Sequence, residues 1–145
     1  LSIFIPTSIV AVLVQFVCSY LSDFIRLKYL LIAFMAGMLI TSFGLTELGA
    51  FEGAFWMIVT GNGIAWGLYT VLIGVTWPRF FGLKNLGAIS GASLSWTVIG
   101  SALGPYLFSL SKSMTNSYDL VGWVNLGLAI LILLLAFRAD NPNEI

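Results

Sequence analysis

Leu126-Gly127-Leu128-Ala129-Ile130-Leu131-Ile132-Leu133-Leu134-Leu135-Ala136-Phe137 carries no charged or hydrogen-bonding side chain on any face. A strand of a membrane barrel alternates polar and apolar residues in segments of about ten, so this run cannot be one. A helix is the other backbone that satisfies its own amides in hydrocarbon. The run lies in a longer uncharged stretch, 120 to 137, and four more precede it at 1 to 22, 29 to 46, 53 to 78 and 85 to 111. At 1.5 Å of rise per residue, about 20 apolar residues cross a hydrocarbon core of roughly 30 Å, and every stretch is long enough. The chain as a whole has 59% hydrophobic and 8% charged residues, where a soluble domain has about a quarter charged. The expected fold is therefore an all-α membrane protein with five transmembrane helices in a lipid bilayer.

The same composition excludes other classes. A net charge of zero without a basic block leaves no footprint for nucleic acid. Cys18 is the one cysteine and histidine is absent, which rules out an internal disulfide framework and the usual zinc sites. No metal or cofactor is expected. Because the chain opens on Leu1 inside an apolar stretch, it reads as a piece of a longer protein whose partner helices lie upstream. A cleaved signal peptide is not expected, since no basic segment precedes that stretch.

Short connections force consecutive helices to run antiparallel. Arg26, Lys28, Arg79, Lys84 and Arg138 then fall on one side and Lys112 alone on the other. The positive-inside rule places the first side in the cytoplasm, with the chain start outside and the C-terminus inside. Glu47, Glu52 and Asp119 on the outer side do not oppose it. Trp56, Trp123 and Trp77 near span ends suit either interfacial anchoring or ordinary core packing.

The spans are of two kinds. The second and fifth are mostly Leu, Ile, Phe, Met and Ala, as expected of helices facing lipid at the periphery. The third and fourth are richer in Gly, Ser, Thr, Asn and Trp, which fits helices buried among others or lining a pathway. In the third, Asn62, Trp66, Tyr69 and Ile73 share one face, with Gly63, Gly67 and Gly74 on an adjoining strip where a neighbouring backbone can come close. Asn62 either lines a solute site or bonds to another helix. The fourth carries a stripe of Ser90, Ser93, Thr97 and Ser101, whose hydroxyls suit bonds to the preceding turn. Its Gly87-x-x-x-Gly91 and Gly100-x-x-x-Gly104 are spaced for close helix packing, and Pro105 allows a bend. In the first span Gln15 must face a partner helix or a pathway, because a primary amide is costly against lipid. No span contains an ionisable Asp, Glu, Lys or Arg.

Ser19-Tyr20-Leu21-Ser22-Asp23-Phe24-Ile25-Arg26-Leu27-Lys28 resembles the loop motif of the major facilitator superfamily, a small residue followed four positions later by Asp and then a basic cluster. Ser19 stands where glycine is usual, Phe24 replaces a basic residue and Arg26 a glycine. The degenerate form matches the place between the eighth and ninth helices, so the five spans would be helices eight to twelve of a partial six-helix bundle. The segment Trp77 to Gly91 looks like the connection between helices ten and eleven, and Gly100-x-x-x-Gly104-Pro105 like the second-half counterpart of a glycine-proline motif. The resemblance implies a secondary transporter in the plasma (cell inner) membrane, moving a small organic solute by alternating access. Monocarboxylates and related anions are the class suggested by similar loops. It also implies that Gln15, Asn62, Trp66, Tyr69 and Thr97 line the pathway. Asp23 would accept hydrogen bonds from a neighbouring helix of the other half, with Arg26 and Lys28 facing headgroups or acting as topology anchors. Two rival classes are a structural or assembly subunit and a membrane-embedded enzyme. The second lacks a base for Cys18, so no enzymatic activity is expected.

Overall fold

In hydrocarbon a backbone amide has no water to bond, so uncharged stretches close their hydrogen bonds internally and become helices. The computed structural model describes residues 3–47 and 53–139, and among these the order is α1 (Phe4–Leu21), α2 (Leu27–Thr46), α3 (Gly53–Phe81), α4 (Leu86–Thr115) and α5 (Asp119–Arg138), with no strand. All five are long and apolar enough to cross a membrane, which makes this an all-α, multi-pass membrane architecture. Glu52 lies outside the described residues.

Charges do not mark the helix ends. The third span, expected to stop at 78, runs through Pro78 to Phe81, and the fourth, expected to stop at 111, passes Lys112 to reach Thr115. Each ends at a residue that tolerates left-handed backbone. Gly82 has φ of 69° and its amide bonds the Pro78 carbonyl at 3.0 Å; Asn116 has φ of 56° and bonds the Lys112 carbonyl at 3.0 Å. At 29 and 30 residues, α3 and α4 are each about 44 Å long, well beyond the roughly 30 Å apolar thickness, so their last turns stand in the interface.

α3 is the centre of the packing. Gly63 abuts Thr7 and Val10 while Gly67 abuts Ala11 and Val14, so α1 and α3 run in the same direction. Gly37 faces Gly61 and Ile64, whereas Gly44 faces Ala54 and Met57, so α2 and α3 run in opposite directions. A methyl group added at Gly61 would come within 2.7 Å of the Thr41 amide nitrogen, and one at Gly67 within 2.6 Å of the Ala11 carbonyl oxygen. These helices touch backbone to backbone. Since lipid is as apolar as leucine, such contact and interhelical hydrogen bonds, not hydrophobic exclusion, hold the helices together. Leu27, Leu30, Leu68 and Val71 form the buried cluster where α2 begins.

The composition of the spans misplaces two of them. α2, expected at the lipid periphery, lies between α3 and α5 and buries Leu27, Leu30, Met35, Gly37, Ser42 and Gly44. The residues that suit lipid also suit close packing, so hydropathy does not tell the two apart. α5 does present most of its large side chains outward, with Ala129 and Ala136 buried. α4, expected to pack tightly near both ends, buries Ser111 alone among its described residues. Its Gly87, Gly91, Gly100 and Gly104 have nothing within 4 Å of where a methyl would stand. Gly74 is equally open, unlike Gly63 and Gly67 on the same helix. Pro105 lies inside a continuous α4.

A polar contact crosses the packing between α2 and α5. Asn125 of α5 donates its amide to Ser42 Oγ of α2 at 2.8 Å, and Ser42, fully buried, donates in turn to the Met38 carbonyl at 2.8 Å. A bond of this kind is worth about 0.6 kcal/mol on average in membrane proteins.

Candidate functional site

The stripe on α3 opens onto a cleft between α3 and α4. Helical periodicity puts Asn62, Trp66 and Tyr69 on one face, and α4 runs beside that face with Thr97 and Ser101 toward it. Together with Phe34 and Met38 of α2 they line a cavity of about 440 Å³. Four of the five pathway residues read from the sequence, Asn62, Trp66, Tyr69 and Thr97, thus meet in one place. Gln15 does not join them; it is exposed on α1.

The floor of this cavity is an aromatic and hydroxyl cluster. Tyr69 stacks on Phe34 with ring centroids 6.3 Å apart and meets Trp66 edge-on at 6.1 Å. Its hydroxyl lies 2.9 Å from Thr97 Oγ1, which itself donates to the Ser93 carbonyl at 3.1 Å. A threonine hydroxyl has one proton, so Tyr69 is the donor to Thr97. Ser101 also bonds back to its own helix, at the Val98 carbonyl, 2.8 Å away. Asn62 is different. Its amide makes no hydrogen bond among the described residues, and the interhelical bond that was one of its two expected roles is made by Asn125 instead.

Below the Tyr69–Thr97 pair lies a second cavity, of about 340 Å³, lined among others by Arg26, Lys28, Leu72, Thr76, Trp77, Phe80 and Ala139. Tyr69 and Thr97 line both. Their hydrogen bond therefore lies where the two spaces adjoin. The lower cavity brings the start of α2, the end of α3 and the residue after α5 to one basic end of the bundle. There the Trp77 Nε1 is buried without a hydrogen-bond partner among the described residues. Trp56 and Trp123, by contrast, are largely exposed.

Asp23, in the loop before α2, takes a hydrogen bond from Arg79 at 3.1 Å. The two side chains are 74% and 35% exposed, and a pair of that kind contributes about 0–1 kcal/mol. Its partner is thus a side chain at the carboxyl end of α3 in the same chain. Ser19 is exposed, and its carbonyl accepts the Ser22 hydroxyl at 2.7 Å. Arg26 and Lys28 face the lower cavity.

Thr76, Phe80, Phe34 and Met38 escaped the sequence reading, and Arg79 was read there only as a topology charge. Thr76 and Phe80 continue the α3 stripe at the same helical spacing beyond Ile73, so extending the periodicity would have found them. Phe34 and Met38 sit on an apolar helix with no marking signal. No known protein family, characterised protein or solved structure matches the chain.

Proposed function

We propose that this chain forms part of a secondary transporter of the major facilitator type, which carries a small organic solute by alternating access. The carrying observation is that Asn62, Trp66, Tyr69 and Thr97, on two helices, converge on one cavity in which the Asn62 amide makes no hydrogen bond to the described protein. A solute site in an apolar bundle needs such a combination: an aromatic surface and a few convergent polar groups. The loop from Ser19 to Lys28, with its Asp23–Arg79 pair, supports the same reading. In it the basic end is cytoplasmic, the chain start is outside in the plasma (cell inner) membrane, and upstream helices of the same protein complete the bundle. The substrate class is a monocarboxylate or related anion.

Uptake of labelled monocarboxylates into vesicles containing the full-length protein tests the activity, and no uptake across a broad panel of organic solutes would end it. Asn62→Leu should lower uptake at least tenfold while membrane insertion is unchanged, as expected when a polar contact to a solute is lost. Unaltered uptake kinetics would assign Asn62 to packing.

A further inference from the structure

Thr76 is an exception in this chain. Every other threonine donates its hydroxyl to a carbonyl of the preceding turn, from Thr7 to Ile3 at 2.7 Å through Thr70 to Gly67 at 2.8 Å to Thr115 and Ser111 at 2.9 Å. Thr76 makes no hydrogen bond among the described residues, and its neighbour Trp77 holds a buried indole N–H that is likewise unpartnered. Both line the lower cavity. So does Lys28, half-buried, whose ammonium has no acceptor or ion-pair partner among the described residues. Arg26 lies on the same lining, and no carboxylate is among the described lining side chains. The Thr76 hydroxyl and the Lys28 ammonium, both half-buried and without an acceptor among the described residues, fit a ligand that brings acceptors to this space. The remaining wall is apolar, with Leu31, Leu72 and Phe80. The volume of about 340 Å³ lies within the range of small-ligand sites.

We propose that the lower cavity is a binding chamber for an amphipathic organic anion, a carboxylate or phosphate head held by Lys28 and Thr76 with its apolar body against Leu31, Leu72 and Phe80. The chamber deepens the transport reading by giving an anionic substrate a site in this chain, and rests on that reading only for the direction of traffic. Binding, read without uptake, tests it separately. Two sources share the chemistry: a free organic acid and the headgroup of an anionic lipid.

The full-length protein in phosphatidylcholine nanodiscs should bind 4-phenylbutyrate saturably in calorimetry, and its uncharged amide at least tenfold more weakly. Lys28→Gln and Thr76→Val should each weaken the acid about tenfold, Lys28→Arg should retain it, and Lys112→Gln at the other end should change nothing. Thr76→Val keeps shape and charge, so it remains informative if Lys28→Gln does not fold. Equal binding of the amide, or of the acid to both variants, overturns the proposal. Nanodiscs containing phosphatidylglycerol separate the sources. Loss of phenylbutyrate binding there identifies a lipid occupant, and unchanged binding identifies a free organic acid. If phenylbutyrate does not bind in phosphatidylcholine and phosphatidylglycerol does not co-purify in a Lys28-dependent way, the chamber is not an anion site.

Discussion

α3 meets its neighbours in two different ways. Toward α2 it offers Gly61, where even a methyl would come within 2.7 Å of the Thr41 amide nitrogen, so the seam is closed along its length. Toward α4 it offers Asn62, Trp66, Tyr69 and Thr76, and the two helices leave cavities between them that adjoin at the Tyr69–Thr97 hydrogen bond of 2.9 Å. Small residues let backbones come into contact and fill the space; large, polar and aromatic residues hold them apart. One helix therefore closes against its neighbour on one side and lines a cleft on the other.

The contrast can be broken most severely at the closed seam. Gly61→Val puts branched carbons against backbone that cannot yield, and it should cost upwards of about 3 kcal/mol and abolish a monodisperse detergent-solubilised form in gel filtration. A well-folded Gly61→Val protein would show that the seam is not tight. Between α2 and α5, Asn125→Leu removes the bond to Ser42 while keeping bulk. It should lower stability by about 0.6 kcal/mol, and by no more than about 1.7, in a denaturation series. At the cleft, Tyr69→Phe should cost no more than about 1 kcal/mol, because the bond it removes is partly solvated. Its effect should appear instead in access: in a Cys18→Ser background, a methanethiosulfonate reagent applied from the basic end should label Ser101→Cys several-fold faster once this bond no longer ties α3 to α4. Unchanged labelling would show that the pair is no barrier. The smallest effect is expected at Gly100→Ala, where a methyl meets open space; stability within about 0.5 kcal/mol of the parent is expected, and a larger loss would reveal a neighbour at that face.

Much of this was legible in the residues. The uncharged runs located the five helices, and the periodicity of Asn62, Trp66 and Tyr69 marked the face that turned out to line a cavity, with Thr97 opposite. What failed shares a physical cause. GxxxG spacing in α4 states that a helix could approach closely, not that one does, and the glycines that make contact are Gly37, Gly44, Gly61, Gly63 and Gly67. The Leu- and Ala-rich composition of α2 was read as lipid-facing because lipid and helix interior have the same polarity, so hydropathy carries no information about which apolar face is covered. Asn125 was not singled out in the sequence, although burial is what makes such a group find a partner.

By itself the sequence determined that the chain is helical, that it crosses a membrane, where the helices lie and which face of α3 is polar. Those properties follow from the cost of unpaired amides and charges in hydrocarbon, which acts on each segment locally. The tertiary structure alone decided which glycines are in contact, that α2 rather than α4 is enclosed, that Asp23 meets Arg79, and that Lys28, Thr76 and Trp77 surround one space. These are relations between segments far apart in the chain, set by how whole helix surfaces fit, and no local property of a residue encodes them.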